Sequence, residues 1–521
     1  MDVRGVWKEA EKKIILRGDK MNIIESCVDR HALSDPSRLA FVFEDGKRVE
    51  YTYKKLLEEV NKFANLLIGN GVKKGQHVFC FLPKVPEMYI AILGAIKAGC
   101  VAAPLFEAFQ QDGLEMRLER GDAVVLVTNK ELSARVPSNI KKKVPSFKKM
   151  FVVDSDEYKK EFNSCSNKFD AVLVDKKDTG LMIFTSSTAG TPVAGIMIPH
   201  YGLVQQHYTA ELVLDLKKND NYWCTAHPGW VTGAVYGIVA PLSIGCTNYV
   251  LEGRFEAPHW IDFLKKNKIN VVYTAPTALR MLRGTIKKED LKGVRNICSV
   301  GEALTETVFN DYKKLGVEIN DTFWQTETGA MIIAGWPGIK KKVGALGKAI
   351  PGVNADIVDG VIVMKPEFPP ALMTSVYKHE QMYKDYFKDG FFVTNDLAKK
   401  DKDGYIFFEA RRDDIIKTAG ERVSPIEVES ALMKHPAVKE AAIIGIPDPI
   451  RGAILKAFIV LNKNFVGKEN DKLKEEIGTS VKTHYAGHAY PKEIQFVSSL
   501  PKTNSGKIIR MQLREMENKK A

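Results

Sequence analysis

The heptad Pro501-Lys502-Thr503-Asn504-Ser505-Gly506-Lys507 puts a lysine behind a Ser-Gly turn, late in a chain of 521 residues. A compact ammonium on a flexible stem can be delivered to a site built elsewhere, where it neutralises phosphate or carboxylate charge. Upstream segments offer matching chemistry. Thr185, Ser186, Ser187 and Thr188 follow an apolar run, and hydroxyls with small residues there can turn backbone N–H groups toward a phosphate. The segment lacks the Gly-Lys-Ser/Thr ending of a P-loop. In Asp321-Thr322-Phe323-Trp324-Gln325-Thr326-Glu327-Thr328-Gly329, Thr326 can hydrogen-bond a phosphate and Glu327 can ligate Mg2+. Asp396 closes an apolar run and can accept from both hydroxyls of a ribose. Arg411 and Arg422 carry guanidinium forks suited to phosphate and ribose oxygens. Each segment alone has a plain alternative: a solvated turn, a Ser/Thr loop, a capped turn, a strand-ending Asp, a surface Arg. Their order along the chain is the signal.

Positioning such dispersed groups needs more than one folding unit, and this length suggests roughly two to four. The 45% hydrophobic content is that of a globular protein. No apolar run approaches membrane-spanning length and the first residues are charged throughout, so a cytoplasmic protein without a membrane partner is expected. The seven cysteines are scattered, with no Cys-x-x-Cys pair, which reads as reduced thiols and no zinc site. A net charge of +12 suits either a nucleic-acid face or attraction of polyphosphate. The lysine runs 141–143 and 340–342 are isolated and have no interleaved aromatics, which favours solvated surface with a general bias toward anions over a nucleic-acid site.

Apolar periodicity supplies the elements. Thr52 can cap a helix from 53, with Leu56, Leu57, Val60, Phe63, Leu66 and Leu67 on one face. Strands at 77–82, 100–105 and 124–128 flank a helix opened by Pro86, a spacing that requires crossovers in a parallel sheet. The pattern restarts at 181–184 and recurs at 270–274 and 296–300, which predicts a second parallel layer. From about 351 the strands become short and broken by Gly, Pro and Asp. After the charged 411–414 stretch, helices and strands alternate again over roughly the size of one small domain. The expected fold is α/β: a large N-terminal domain (1–412) of two mostly parallel sheets with helices and a small β-barrel-like subdomain. A small mobile α+β C-terminal domain (413–521) follows.

The order of these segments, together with Trp223-Cys224-Thr225-Ala226-His227-Pro228-Gly229-Trp230-Val231-Thr232-Gly233, Tyr273-Thr274-Ala275-Pro276-Thr277 and Ser299-Val300-Gly301-Glu302-Ala303, resembles the adenylate-forming superfamily of acyl-CoA synthetases, luciferases and adenylation domains. The likeness runs from about residue 30 to Arg514 and is greatest to the short-chain, acetyl-CoA synthetase branch. It implies an AMP-forming acyl-CoA synthetase that uses ATP, Mg2+ and coenzyme A on a small carboxylic acid. By the same resemblance Lys507, Thr326 and Glu327 are catalytic, with Glu327 on the metal. Thr185, Ser186, Ser187 and Thr188 grip phosphates. Gly301, Glu302 and Ala303 line adenine, and Asp321, Thr322, Phe323, Trp324 and Gln325 border adenine and the α-phosphate. Asp396 and Arg411 hold the ribose and Arg422 a phosphate oxygen. Thr232, Ala419 and Gly420 lie along the CoA channel, Val231 and Trp324 wall the acid pocket, and Asp413 is the hinge. Lys507 in such enzymes is also a substrate of acetyltransferases and deacetylases.

The chain departs from the family pattern in places. Ser187, Ala189, Val193 and Ala194 replace Gly, Thr, Lys and Gly in the phosphate loop. Asn395 and Ala410 replace glycines before Asp396 and Arg411, and the stretch near 358–360 is shorter. A working synthetase with an altered pyrophosphate grip is therefore expected. The alternatives are an impaired relative that only binds nucleotide or acyl-AMP, or an enzyme run in the ATP-forming direction.

Overall fold

The computed structural model describes residues 2–185, 194–253, 255–411, 414, 416–418, 421–423, 425–448, 452–484, 489–502 and 508–518. Two large sheets dominate. The first has seven strands in the spatial order Ser375–Val376, Gly195–Pro199, Thr179–Phe184, Val101–Leu105, His77–Phe81, Val125–Thr128 and Lys149–Val152. From Thr179–Phe184 onward its pairings are parallel. The second has nine, running from Lys348–Ala349 through Ile333–Ala334, Ile319–Phe323, Asn296–Val300, Val271–Thr274, Asn221–Cys224, Thr247–Leu251 and Leu39–Asp45 to Lys47–Thr52. Its six middle strands are mutually parallel. Between parallel strands the helices behave as their sequences demand. Thr52 accepts from the amide of Lys55 (3.2 Å) at the start of Tyr53–Gly69, and Leu56, Val60, Phe63, Leu66 and Leu67 are buried. Pro86 opens Pro86–Lys97, where its missing N–H costs nothing.

The strand sequences do not disclose their partners. The run at 181–184, expected to open the second layer, belongs to the first sheet, where Leu181 pairs with Ala102. Leu39–Asp45, from before the first layer, pairs with Thr247–Leu251 in the second. An apolar run specifies a strand buried on both faces but not the neighbour that buries it. One hydrophobic cluster accordingly draws residues from both sheets.

The β-rich unit after 351 is a five-stranded antiparallel sheet: Ala355–Val358, Val361–Met364, Phe391–Lys400, Phe387–Lys388 and Ile406–Arg411. The shortened stretch near 358–360 is a two-residue hairpin. Val358 faces Val361, and Asp359 and Gly360 both take positive φ (50° and 76°), the conformation a tight Asp-Gly turn needs. The last unit packs helices Pro425–Leu432, Asp471–His484 and Arg510–Asn518 on the sheet Val438–Asp448, Gly452–Leu461 and Glu493–Phe496. Its two hydrophobic clusters are drawn from residues 416–513 alone.

Candidate active site

Parallel α/β sheets collect ligands at the carboxyl ends of their strands, and here those ends of the two large sheets meet. His227, beyond Asn221–Cys224, donates from Nε2 to the carbonyl of Leu82 beyond His77–Phe81 (3.0 Å). The amide of Gly229 donates to Nδ1 of the same ring (2.9 Å), which fixes the tautomer. Burial holds this imidazole neutral, its pKa pushed down to about 3. Gly233 is obligatory nearby, since a Cβ would lie 2.1 Å from the His227 carbonyl oxygen. The turn delivers half-buried Val231 and Thr232 at the start of the helix Val231–Ala234.

Asn296–Val300 ends at Gly301, in the left-handed region at φ 92°. The Glu302 carboxylate is then clamped. Thr277 Oγ1 lies 2.7 and 2.8 Å from its two oxygens and Arg280 Nη2 2.7 Å from Oε2. Both partners sit on Pro276–Leu282, the helix that opens within the Tyr-Thr-Ala-Pro-Thr motif. Next to this edge Ile319–Phe323 pairs in parallel, Ser299 opposite Asp321. Asp321 is buried; Ser299 Oγ (2.6 Å) and the amide of Thr322 (3.1 Å) donate to its Oδ1. Desolvation outweighs these bonds and raises its pKa to about 7.

Strand alternation divides the Asp321–Gly329 block between two faces. Phe323 stays partly exposed, its ring centroid 6.3 Å from Phe408. Thr322 and Trp324 turn inward. Trp324 is 8% exposed and donates from Nε1 to the Tyr273 hydroxyl (3.0 Å). Beyond it the chain makes a tight turn, with Thr328 Oγ1 accepting from the amide of Gln325 (3.0 Å).

Gln325 joins this turn to the small antiparallel sheet: Nε2 donates to the carbonyl of Thr394 (2.9 Å) and to Asp396 Oδ2. Asp396 is buried and stands opposite Arg411 in the strand register, with Arg411 Nε 3.9 Å from Oδ1. Glu327 receives a hydrogen bond at Oε1 from the Tyr386 hydroxyl (2.8 Å). The Tyr386 ring stacks on Phe392 (centroids 5.7 Å, planes 4° apart), which lies on the strand that carries Asp396. The turn that carries Thr326 and Glu327 is thus joined to the strands that carry Asp396 and Arg411 by contacts that no local motif announces. Gln325, expected to border the nucleotide, has its side-chain amide engaged with the Asp396 strand. Tyr386, Thr277 and Arg280 escaped the sequence reading; of these only Thr277 fell within a quoted motif.

Ser187, Ala189 and Val193 lie outside the described residues, whereas Asn395, Ala410 and Ala194 fit the backbone they occupy. Asn395 takes φ 61°, a region Asn enters more readily than other residues with a Cβ. Ala410 and Ala194 are buried, and neither takes a positive φ. Thr185 closes the mouth of the hydroxyl loop, its amide donating to the Ala194 carbonyl (3.3 Å). Ser186, Ser187, Thr188, Asp413, Ala419, Gly420 and Lys507 lie outside the described residues, as does the side chain of Arg422. One oxygen of Glu327 is taken by Tyr386; the second suits a hard divalent cation that keeps its other sites for phosphate and water.

Comparison with known proteins agrees with this geometry. The AMP-binding enzyme model matches residues 28–364, and the AMP-binding enzyme C-terminal domain model matches residues 427–507. The chain is 43% identical over 526 residues to an acetyl-coenzyme A synthetase of Bacillus subtilis (strain 168), covering 96% of this chain and 91% of that one. It is 35% identical over 561 residues to an acetyl-coenzyme A synthetase of Methanothrix thermoacetophila, covering 97% and 84%. The crystal structure of the anthranilate CoA ligase AuaEII in complex with anthranoyl-AMP superimposes with a TM-score of 0.88 at 26% identity, over 96% of this chain and 98% of that one. The chain belongs to the AMP-binding enzyme family, the adenylate-forming enzymes.

Proposed function

We propose that this protein is an AMP-forming short-chain acyl-CoA synthetase acting on an acetate- or propionate-like acid. The observation that carries this reading is the coupling of the Thr326–Glu327 turn, beyond the carboxyl end of a strand of the second sheet, to Asp396 of the small antiparallel sheet through Gln325. In the first half-reaction a carboxylate oxygen of the acid attacks the α-phosphorus of ATP. A P–O bond forms to give acyl-AMP, and the bond to pyrophosphate breaks. In the second, the thiolate of coenzyme A attacks the acyl carbon and AMP leaves.

Both partners of the first step are anionic, so positive charge must be brought to the transition state. Lys507 supplies it, carried by a C-terminal domain (413–521) that turns about Asp413. Gly301, Glu302 and Ala303 border the adenine, with Asp321 at its edge; Asp396 and Arg411 take the ribose, Arg422 a phosphate oxygen, and Thr326 the α-phosphate. Thr185 to Thr188 hold the outer phosphates. Glu327 would hold magnesium, whose charge screens the triphosphate. After the domain turns, Thr232, Ala419 and Gly420 line the path of the thiol. Val231 and Trp324 limit the acid to a short chain. Acetylation of Lys507 by a lysine acetyltransferase would remove its charge and silence the first step until a deacetylase restored it. Seven unpaired thiols suit a reducing, cytoplasmic setting, and among the described residues no helix is long and apolar enough to cross a membrane.

ATP–pyrophosphate exchange with a panel of straight-chain acids tests the reading. Exchange should require acetate or propionate, and AMP should accumulate only once coenzyme A is added. Absence of exchange with every acid at millimolar concentration would overturn it.

A further inference from the structure

Four buried groups behind the expected acid pocket form a chain whose direction is fixed by its last member. The carbonyl oxygen of Ser299 can only accept, so Thr322 Oγ1, 2.7 Å away, donates to it. Thr322 has then used its single proton, and the Tyr273 hydroxyl, 2.8 Å from Oγ1, must donate to it. That leaves the Tyr273 oxygen as acceptor for the indole N–H of Trp324 at 3.0 Å. Tyr273, Thr322 and Ser299 are all buried, so water does not replace a lost link at small cost. A third ring braces the indole from another side. Tyr236 meets Trp324 edge-on (5.0 Å, 81°) and Tyr273 likewise (5.6 Å, 85°). The Tyr236 hydroxyl is itself held by Thr209 Oγ1 (2.7 Å) and the amide of Met331 (3.0 Å).

We propose that Tyr273 is a specificity-determining positioning residue: it pins the Trp324 indole across the acid pocket, so the chain-length limit is set by this hydroxyl chain as well as by the bulk of the indole. The proposal rests on the reading of Trp324 as a wall of that pocket. A free indole, able to change rotamer, would clear space for further methylenes. A pinned one excludes them.

Steady-state kcat/KM for acetate, propionate, butyrate and valerate, in the full chain and in Tyr273→Phe, Trp324→Gly and the double variant, tests it. Tyr273→Phe keeps the ring and removes the acceptor. The butyrate-to-acetate ratio of kcat/KM should rise by about three- to tenfold, the scale of one hydrogen bond. KM for ATP should hold within about twofold, since uniform binding of the nucleotide is untouched. In the Trp324→Gly background Tyr273→Phe should move the ratio no further, because there is no indole left to pin. Thr322→Val cuts the same chain one link on and is read by the same ratio if Tyr273→Phe does not fold. If Trp324→Gly shifts the ratio and Tyr273→Phe does not, the pinning role is lost and the pocket reading stands. An equal effect of Tyr273→Phe with and without the indole also overturns it. If Trp324→Gly leaves the ratio unchanged, both fall.

Discussion

Asp321 carries a proton at a pH where a carboxyl in water has lost it. Burial raises its pKa to about 7, against the pull of Ser299 and the Thr322 amide. Between pH 4 and 7 the folded protein therefore binds a proton that the unfolded chain releases. Stability from this group falls as pH rises through that window and levels off above it. A shift of this size corresponds to ~4 kcal/mol as an upper figure. Asp321→Asn should flatten the slope: urea midpoints from pH 5 to 8 should decline less in the variant than in the wild type. Parallel slopes would show that Asp321 titrates normally. Asn395 belongs to the same scale. It replaces a glycine of the family pattern, and a left-handed backbone occupied by Asn is a mild exchange.

The elements that matter most are the turns between strands. The turn closing the Asp321–Gly329 block ends at Gly329, with φ 64°, where a Cβ would come within 2.0 Å of the Ala371 carbonyl oxygen. The surroundings are tied down: Gln206 Nε2 donates to the Gly329 carbonyl (3.0 Å), Gln205 Oε1 accepts from the amide of Ala371 (3.1 Å), and the amide of Met373 donates to the carbonyl of Glu327 (2.9 Å). Gly329→Ala has nowhere to relax and should cost ~3 kcal/mol or more. It should also displace Glu327, whose carbonyl and side chain share the turn. Thermal unfolding together with KM for Mg·ATP checks this; a variant of native stability would mean that the backbone yields. The stacked Tyr386 and Phe392 link this turn to the Asp396 strand, so the two halves of the proposed nucleotide site should loosen together.

At the scale of the molecule, the chain holds one cluster that fuses the two large sheets and separate clusters after residue 416. A unit with its own core can turn as a body, because rotation leaves its packing intact. That is the condition which the proposed alternation, with Lys507 used in one half-reaction and withdrawn in the next, places on the fold. Lys507→Ala should slow acetate-dependent ATP–pyrophosphate exchange by about 10²-fold or more, the scale for removing a preorganised charge from a transition state. Thioester formation from supplied acetyl-AMP and coenzyme A should stay within a few-fold of wild type. Equal loss in both assays would contradict a moving domain.

The sequence alone determined the kinds of elements and the inventory of chemical groups. Helix caps and apolar periodicity are written into neighbouring positions, so Thr52 and Pro86 could be read where they stand. The ordered hydroxyls, carboxylates and guanidinium groups named a chemistry in the same way. Tertiary structure decided which strand lies beside which, and therefore which side chains share a cleft. Leu181 pairs with Ala102, Gln325 reaches Asp396, Tyr386 reaches Glu327 and Tyr273 holds Trp324 across intervals far longer than any local pattern. Such pairings arise from burying apolar faces of distant strands against one another, a gain that depends on the whole packing and leaves no mark on the residues nearby.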